Sequence, residues 1–188
     1  MSKQELEICL QLKNAATVRK FLDKNAAKFS YENRQIDTYF DSETTGWTKN
    51  ADGHTPIDFW FRMREENGVA SLNFKDFSRT GRPDIANCTE FESMISTSHD
   101  VKKILEYLGF TPAVVVNKVR RAYKFCDSEI AIDSVVDLGE YIEIEYYGDL
   151  SDVDEIKDFL NSALTKIGAK TDEYDQLGYP YRLLMKKP

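Results

Sequence analysis

Charged side chains of like sign recur at every second position in several short segments, and this pattern constrains the fold most. The pairs are Glu5 and Glu7, Arg62 and Arg64, Lys118 and Arg120, and Glu143 and Glu145. Because successive side chains of a β-strand lie on opposite faces, each segment is predicted to be a strand with one charged and one apolar face. Neighbouring like charges repel, so a face that carries several of them needs a counter-ion.

Strands are predicted to dominate the chain, with three helices between them. The predicted strands are 5–12, 35–40, 59–64, 71–77, 88–92, 115–125, 129–136 and 141–147, and the predicted helices are 15–29, 100–108 and 152–167. Gly109 and Gly168 follow two of these helices, at positions where glycine commonly ends a helix. The pattern predicts an α+β fold, and so many antiparallel strands often close into a β-barrel, with the helices outside, because closure removes exposed strand edges.

The composition is that of an ordinary globular protein, and we expect residues 1–188 to form a single domain. The chain has 41% hydrophobic residues, 11 Phe and 10 Tyr, which is too apolar and aromatic for a disordered chain. Its net charge of -7 argues against non-specific binding to nucleic acid or to an anionic membrane. No apolar run approaches the roughly 20 residues of a membrane span, and no apolar signal segment stands at the N-terminus, so we expect a cytoplasmic protein.

Cysteine and histidine provide little support for a metal site or a catalytic triad. Cys9, Cys88 and Cys126 are widely spaced and form no CxxC pair, so we expect reduced thiols rather than a structural zinc site. The two histidines, His54 and His99, lie in separate polar segments. We find neither a phosphate-binding glycine loop nor a GxSxG motif.

The charged faces have two interpretations. Each strand taken alone is explained most simply by a charged face in water and an apolar face in a core. If the sheet instead closes with its charged faces inward, the basic faces would line a tunnel suited to a multiply charged anion such as a triphosphate. The basic faces carry Arg62, Arg64, Lys75, Lys118 and Arg120. The acidic pairs would then be oxygen ligands for Mg²⁺ or Mn²⁺, which bind carboxylates and substrate phosphates together.

Several short motifs, in a fixed order, resemble the CYTH family of triphosphate tunnel metalloenzymes, which includes class IV adenylate cyclases and triphosphatases. Glu5-Leu6-Glu7 resembles the start of the family's ExExK signature. The later motifs are FWFRMRE at 59–65, LNFK at 72–75, LEYLGF at 105–110, KVRRAY at 118–123, AIDSVVDLGEYIEIE at 131–145 and YPYRLL at 179–184. Together they look most like the bacterial class IV adenylate cyclases, and they cover nearly the whole chain.

The resemblance implies roles for individual residues. The implied metal ligands are Glu5, Glu7 and Glu143, with Glu145 as a further candidate, and the metal would be Mg²⁺ or Mn²⁺. The implied phosphate-binding residues are Arg62, Arg64, Lys75, Lys118 and Arg120. Asp133 matches an acidic position assigned to the metal or the nucleotide, and Arg182 matches a basic position that closes the tunnel. Of these, Glu5, Glu7, Lys75, Lys118, Arg120 and Asp133 form the implied catalytic set.

Two cysteines depart from the family pattern. Cys9 stands where the ExExK signature has lysine, and Cys88 stands where an RxExE strand has arginine, before Glu90 and Glu92. Each change removes a positive charge from the expected tunnel, and the loss of one charge-assisted phosphate contact costs about 1.5–3 kcal/mol. Both changes therefore bear on the rate of any reaction in the tunnel.

Three functions remain open on the sequence. The leading hypothesis is a metal-dependent adenylate cyclase that converts ATP to cyclic AMP and pyrophosphate. The second is a triphosphatase that hydrolyses thiamine triphosphate, tripolyphosphate or a nucleoside triphosphate, and the third is a non-catalytic triphosphate-binding protein. A homodimer would be compatible with the cyclase branch by resemblance, whereas nucleic acid and membranes are not expected partners.

Overall fold

The computed structural model describes residues 3–25, 27–52, 57–77, 86–147, 153–172 and 177–186, and for residues 3–6, 86–88 and 153 it describes the backbone alone. The strands are β1 (Lys3–Gln11), β2 (Lys28–Ser42), β3 (Phe59–Glu66), β4 (Val69–Phe77), β5 (Ala86–Ile95), β6 (Phe110–Phe125), β7 (Ser128–Val135) and β8 (Gly139–Tyr146). The helices are α1 (Ala15–Lys24), α2 (Ser98–Tyr107), α3 (Val153–Lys166) and α4 (Gly178–Lys186).

The strands form a closed antiparallel barrel in the order β1-β5-β4-β3-β2-β6-β7-β8, and β1 pairs with both β5 and β8. The barrel and the helices outside it confirm the predicted α+β class. None of the helices that the structure describes is long and apolar enough to cross a membrane.

Three boundaries, the end of α1 and the starts of β2 and β6, differ by five residues or more from those predicted. The helix predicted over 15–29 ends at Lys24, because residues from Lys28 onward belong to β2 and pair with β6. The strands β2 and β6 are much longer than 35–40 and 115–125, since their mutual pairing continues from Lys28↔Lys124 to Ser42↔Phe110. This long-range pairing is not encoded in the alternation of either segment alone.

The apolar faces of β1, β7 and β8 lie outside the barrel and are covered by α1 and α3. This core buries Ile8, Leu10, Leu12, Val18, Leu22, Ile130, Ile132, Ile142, Ile144, Leu160 and Ile167. On β8, Ile142 and Ile144 are buried in this core, so the residues that alternate with them must lie on the inner face of the barrel. The helices thus fix which face of these strands points inward.

A second apolar cluster lies where α4 meets the barrel. Tyr179 and Tyr181 of α4 are buried there, together with Tyr39, Trp60 and Tyr141 of the barrel strands. Pro180 falls in the first turn of α4, where the missing backbone N–H of proline removes no helical hydrogen bond. The segment YPYRLL is therefore a helix that contributes side chains to one end of the barrel interior.

Candidate active site

A cavity of about 420 Å³ lies inside the barrel. Its charged lining consists of Glu7, Arg62, Arg64, Lys75, Glu90, Glu92, Lys118, Arg120, Glu129, Glu143, Glu145 and Arg182. The charged faces of the strands therefore point inward, and the interpretation in which they lie in outer solvent is wrong. The physical reason is that the outward apolar faces are already buried under helices.

The structure brings most of the implied site residues together on this wall. Those that line the cavity are Glu7, Arg62, Arg64, Lys75, Lys118, Arg120, Glu143, Glu145 and Arg182. The backbone of Glu5 lies in β1 opposite Cys88 of β5, but both side chains fall outside the described part of the chain. Asp133 is not among the described lining residues.

Asp133 lies on the inner face of β7, fully buried beside the cations of β6 that it binds. Its two oxygens accept hydrogen bonds from Nζ of Lys118 at 2.6 Å and from Nε and Nη2 of Arg120 at 2.8 and 2.6 Å. The hydroxyl of Tyr179 donates to the same carboxylate at 3.1 Å. With 0% of its surface exposed, Asp133 is placed to orient Lys118 and Arg120, and a direct contact with metal or nucleotide stays a prediction.

Carboxylates and cations from different strands lie close together on the inner wall. Arg120 donates a hydrogen bond to Glu143, and Nζ of Lys118 lies 3.8 Å from Oε1 of the same residue. Burial opposes the ionisation of Glu143, but Arg120 and Lys118 outweigh it and hold the pKa of this carboxyl well below its ordinary value. Nζ of Lys75 lies 3.4 Å from both carboxylate oxygens of Glu7. Each of these glutamates therefore has cationic neighbours that could also contact a phosphate.

The carboxylates suit a hard divalent cation that is bound together with its substrate. Glu7 of β1 is the register partner of Glu145 of β8, which in turn pairs with Glu129 of β7. Among the described side chains, no three His, Cys, Asp or Glu are gathered closely enough to enclose a metal ion. Mg²⁺ usually takes one or two protein carboxylates and completes its octahedron with water and substrate phosphates. The donor set fits such shared binding and does not form an all-protein cage.

Sequence reasoning missed several residues of the cavity wall. Glu129 accepts a hydrogen bond from the hydroxyl of Tyr31 at 3.3 Å, and Glu145 accepts one from Tyr147 at 3.2 Å. Burial is the main factor that raises the pKa of Tyr31 to about 12. Glu129 precedes Asp133 by four positions on one strand, so period-two alternation could have identified it.

The end of the cavity next to α4 is lined mainly by apolar and aromatic side chains, although Arg182 of the same helix also lines the cavity. Trp60, Phe77, Leu177 and Pro180 line it together with Tyr39 and Tyr179. Trp60 is held between Tyr39 and Trp47 in edge-to-face contacts, with ring centroids 5.6 and 5.1 Å apart. The cavity therefore joins a charged section to an apolar, aromatic one.

Three comparisons place the chain among known proteins. The CYTH domain family model matches residues 3–176. A candidate adenylate cyclase of Methanocaldococcus jannaschii is 25% identical over 181 residues, which are 93% of this chain and 95% of the relative.

Solved structures share the fold at lower identity. A candidate adenylate cyclase of Vibrio parahaemolyticus superposes with a TM-score of 0.74 at 15% identity, with all of both chains covered. A candidate adenylyl cyclase from Hippeastrum, described as having a dominant triphosphatase activity, gives a TM-score of 0.63 at 17% identity over 93% of this chain and 91% of its own. The barrel, its inward charges and the match over residues 3–176 lead to one conclusion: this chain belongs to the CYTH domain family.

Proposed function

We propose that the protein is a metal-dependent adenylate cyclase that binds ATP with its triphosphate inside the barrel and forms cyclic AMP and pyrophosphate. The observation that carries the proposal is the set of five cations on the inner wall, facing a cavity that also has an apolar end. These cations are Arg62, Arg64, Lys75, Lys118 and Arg120. The Methanocaldococcus relative, a candidate adenylate cyclase, supports the same choice of reaction.

The cations of the wall would hold the triphosphate in a fixed orientation. Guanidinium groups bind phosphate oxygens bidentately, and ammonium groups such as that of Lys75 act as point charges. In the cyclase reaction the 3′-hydroxyl of ATP attacks the α-phosphorus, the bond to the β-phosphate's bridging oxygen breaks, and the hydroxyl proton passes to water. Cations held beside the departing pyrophosphate stabilise the negative charge that develops on it.

Glu7, Glu143 and Glu145 would hold the divalent cation at the charged section of the cavity. A bound Mg²⁺ or Mn²⁺ would neutralise charge on the phosphates and lower the pKa of the attacking hydroxyl. No histidine is found among the described lining residues. The lining residues would position the triphosphate, and the cations among them would neutralise its charge.

The apolar end of the cavity favours a nucleoside triphosphate over inorganic tripolyphosphate as substrate. Trp60, Phe77 and Leu177 offer apolar surface next to the cations. Packing of an aromatic base against this surface would remove apolar area from water and so stabilise the bound nucleotide. Tripolyphosphate has no group that could use this part of the site.

A triphosphatase is the second candidate function. The Hippeastrum protein, whose fold this chain shares, is described as a candidate cyclase with a dominant triphosphatase activity. In that reaction the nucleophile is water and it attacks the terminal phosphorus, whereas in the cyclase reaction the ribose hydroxyl attacks the α-phosphorus. The same cations would bind the triphosphate in both cases. The two reactions differ in which phosphorus faces the nucleophile.

Incubation of the purified protein with ATP and Mg²⁺ or Mn²⁺, followed by separation of products, tests the proposal. Cyclic AMP with pyrophosphate supports the cyclase, ADP with orthophosphate supports the triphosphatase, and tight binding without turnover supports a non-catalytic binder. Failure to bind any triphosphate in the presence of the metal would contradict all three.

Glu143→Gln and Glu7→Gln are expected to lower metal-dependent turnover by roughly a hundredfold or more, since each removes a charged ligand from the wall. The matched control is Glu140→Gln, because Glu140 lies on the same strand β8 but binds Arg19 at 3.0 Å outside the cavity. Circular dichroism and thermal unfolding verify that all three variants fold. Near-parental rates for both lining variants would refute their assignment as metal ligands.

A further inference from the structure

We propose that Asp37 is a positioning residue, which holds Arg62 and Arg64 in the orientation in which they bind the phosphates of the substrate. The inference rests on the proposed function only in requiring that a triphosphate binds in the cavity. It concerns a residue that none of the sequence motifs includes.

The contacts of Asp37 with the two arginines are short and directional. Nε and Nη2 of Arg64 donate to Oδ1 and Oδ2 of Asp37, both at 2.7 Å, in a bidentate fork. Nη1 of Arg62 donates to Oδ2 at 3.3 Å. One carboxylate therefore binds both guanidinium groups of β3.

The register of the barrel explains how these groups meet. Asp37 of β2 is the direct register partner of Arg64 in β3, and Arg62 faces Tyr39, two positions further along β2. The hydroxyl of Tyr39 accepts a second hydrogen bond from Nη1 of Arg62 at 3.3 Å. Both arginines line the cavity, whereas Asp37 is 1% exposed and is not among the described lining residues.

Asp37 thus contacts the arginines from the neighbouring strand, on the same inner face of the barrel, and leaves part of each arginine side chain exposed to the cavity. Burial opposes its ionisation, but Arg62 and Arg64 prevail and hold the pKa of Asp37 far below its usual range. Arginine has several rotatable bonds, and phosphate binding to a free arginine side chain costs entropy because it fixes them. The hydrogen-bonded fork with Asp37 already fixes these bonds, so this cost of phosphate binding is smaller. The same carboxylate keeps the two like charges of Arg62 and Arg64 close together without a bound anion.

Asp133 shows the same arrangement on the other side of β6. It is also fully buried, and it binds two cations, Lys118 and Arg120, that line the cavity. Two buried aspartates, on β2 and β7, therefore each carry a pair of inward-facing cations. Because the arrangement occurs twice, we infer that these carboxylates orient the cations of the wall and do not only fill space in the core.

For Asp37→Asn, a purely electrostatic effect and a positioning role of Asp37 predict opposite changes in the affinity for phosphate. Removal of a negative charge close to the phosphates should tighten phosphate binding if charge alone mattered. Loss of the fork should weaken binding if Asp37 orients the arginines, and loss of an orienting partner behind a ligand typically weakens binding by roughly tenfold or more. The sign of the change in affinity therefore separates the two effects.

The matched control is Asp41→Asn. Asp41 lies on the same strand, is 6% exposed and binds Thr45, Trp47 and Thr48 of the following loop instead of a cation. Isothermal titration with tripolyphosphate and Mg²⁺ should show a dissociation constant about tenfold higher for Asp37→Asn and within twofold of the parent for Asp41→Asn. Steady-state kinetics with ATP should show the same effect in KM for Asp37→Asn.

An unchanged or tighter dissociation constant for Asp37→Asn would overturn the proposal. If Asp37→Asn does not fold, Asp37→Glu keeps the charge and moves the carboxylate, and parental affinity in that variant overturns the proposal equally. If the parent protein itself binds no triphosphate with Mg²⁺, the proposed function fails and this inference fails with it. If the parent protein binds the triphosphate and both Asp37 variants bind it as well as Asp41→Asn does, this inference alone is wrong and the proposed function stands.

Discussion

Cys9 places a small, uncharged group on the inner wall, next in the inward alternation after Glu7. It lines the cavity, and its register partner is Glu143 of β8. Burial, reinforced by the charge of Glu143, raises the pKa of the Cys9 thiol well above its ordinary value. The thiol is therefore neutral at physiological pH, and this position contributes no positive charge toward a bound phosphate.

Replacement of Cys9 by lysine is expected to tighten triphosphate binding by roughly tenfold, since a charge-assisted hydrogen bond to phosphate is worth about 1.5–3 kcal/mol and part of it offsets ammonium burial. Titration with tripolyphosphate and Mg²⁺ measures the effect. Cys126→Lys is the control, because Cys126 is exposed and lies outside the cavity lining. Equal affinities in both variants would show that Cys9 does not face the bound phosphates.

At the scale of the element, α4 determines the apolar end of the cavity. Its first residue, Gly178, has φ +68°, and a Cβ built there would meet the Trp60 ring at 3.6 Å. This spacing is an ordinary contact, so the requirement for glycine at this position comes from the left-handed backbone conformation. Leu177, Gly178 and Tyr179 all line the cavity, which couples the start of the helix to the site.

Gly178→Ala is expected to lower the free energy of unfolding by about 1 kcal/mol, because a non-glycine residue is strained at positive φ. Gly68→Ala is the control, since Gly68 has φ +77° in the Asn67-Gly68 turn between β3 and β4, which is not part of the cavity. Denaturant unfolding should show similar losses in both variants. ATP affinity should fall severalfold in Gly178→Ala alone, and parental affinity there would mean that α4 does not shape the nucleotide site.

At the scale of the whole molecule, the closed barrel encloses ionised carboxylates that are stabilised by buried cations. Glu143 and Asp37 both have pKa values held below their ordinary range by neighbouring arginine and lysine groups. Because these carboxylates bind protons more readily in the unfolded chain than in the folded one, their contribution to stability is present above the unfolded pKa near 4 and is lost as the pH falls below it.

The free energy of unfolding is therefore expected to fall by about 1.4 kcal/mol per pH unit for each such carboxyl below about pH 4. Asp37→Asn removes one of these carboxyl groups, so the slope should be smaller by the contribution of a single carboxyl. Denaturant unfolding at several pH values from about 2.5 to about 5, around the ordinary carboxyl pKa, measures this dependence of the free energy of unfolding on pH. An exposed carboxyl replaced in the same way, Glu106→Gln on α2, is the control, and equal slopes in the parent and Asp37→Asn would contradict the expectation.

The alternation of charge and apolar residues was enough to assign side chains to strand faces. It put Arg62 with Arg64, Lys118 with Arg120 and Glu143 with Glu145, and the barrel keeps each pair on one inner face. It also predicted the α+β class, and the motif order identified the family. These inferences succeeded because a period of two is a local property of an extended chain.

Only the tertiary structure decided which face of the sheet is inside and which carboxylates bind the cations. Asp37 and Asp133 meet their partners through register across neighbouring strands, and α4 reaches the barrel end from a segment 46 residues after Asp133. Pairing between distant segments is fixed by closure of the barrel and by helices covering its outer apolar faces. The sequence thus determined the set of groups on each strand face, whereas non-local pairing determined their partners and the cavity they surround.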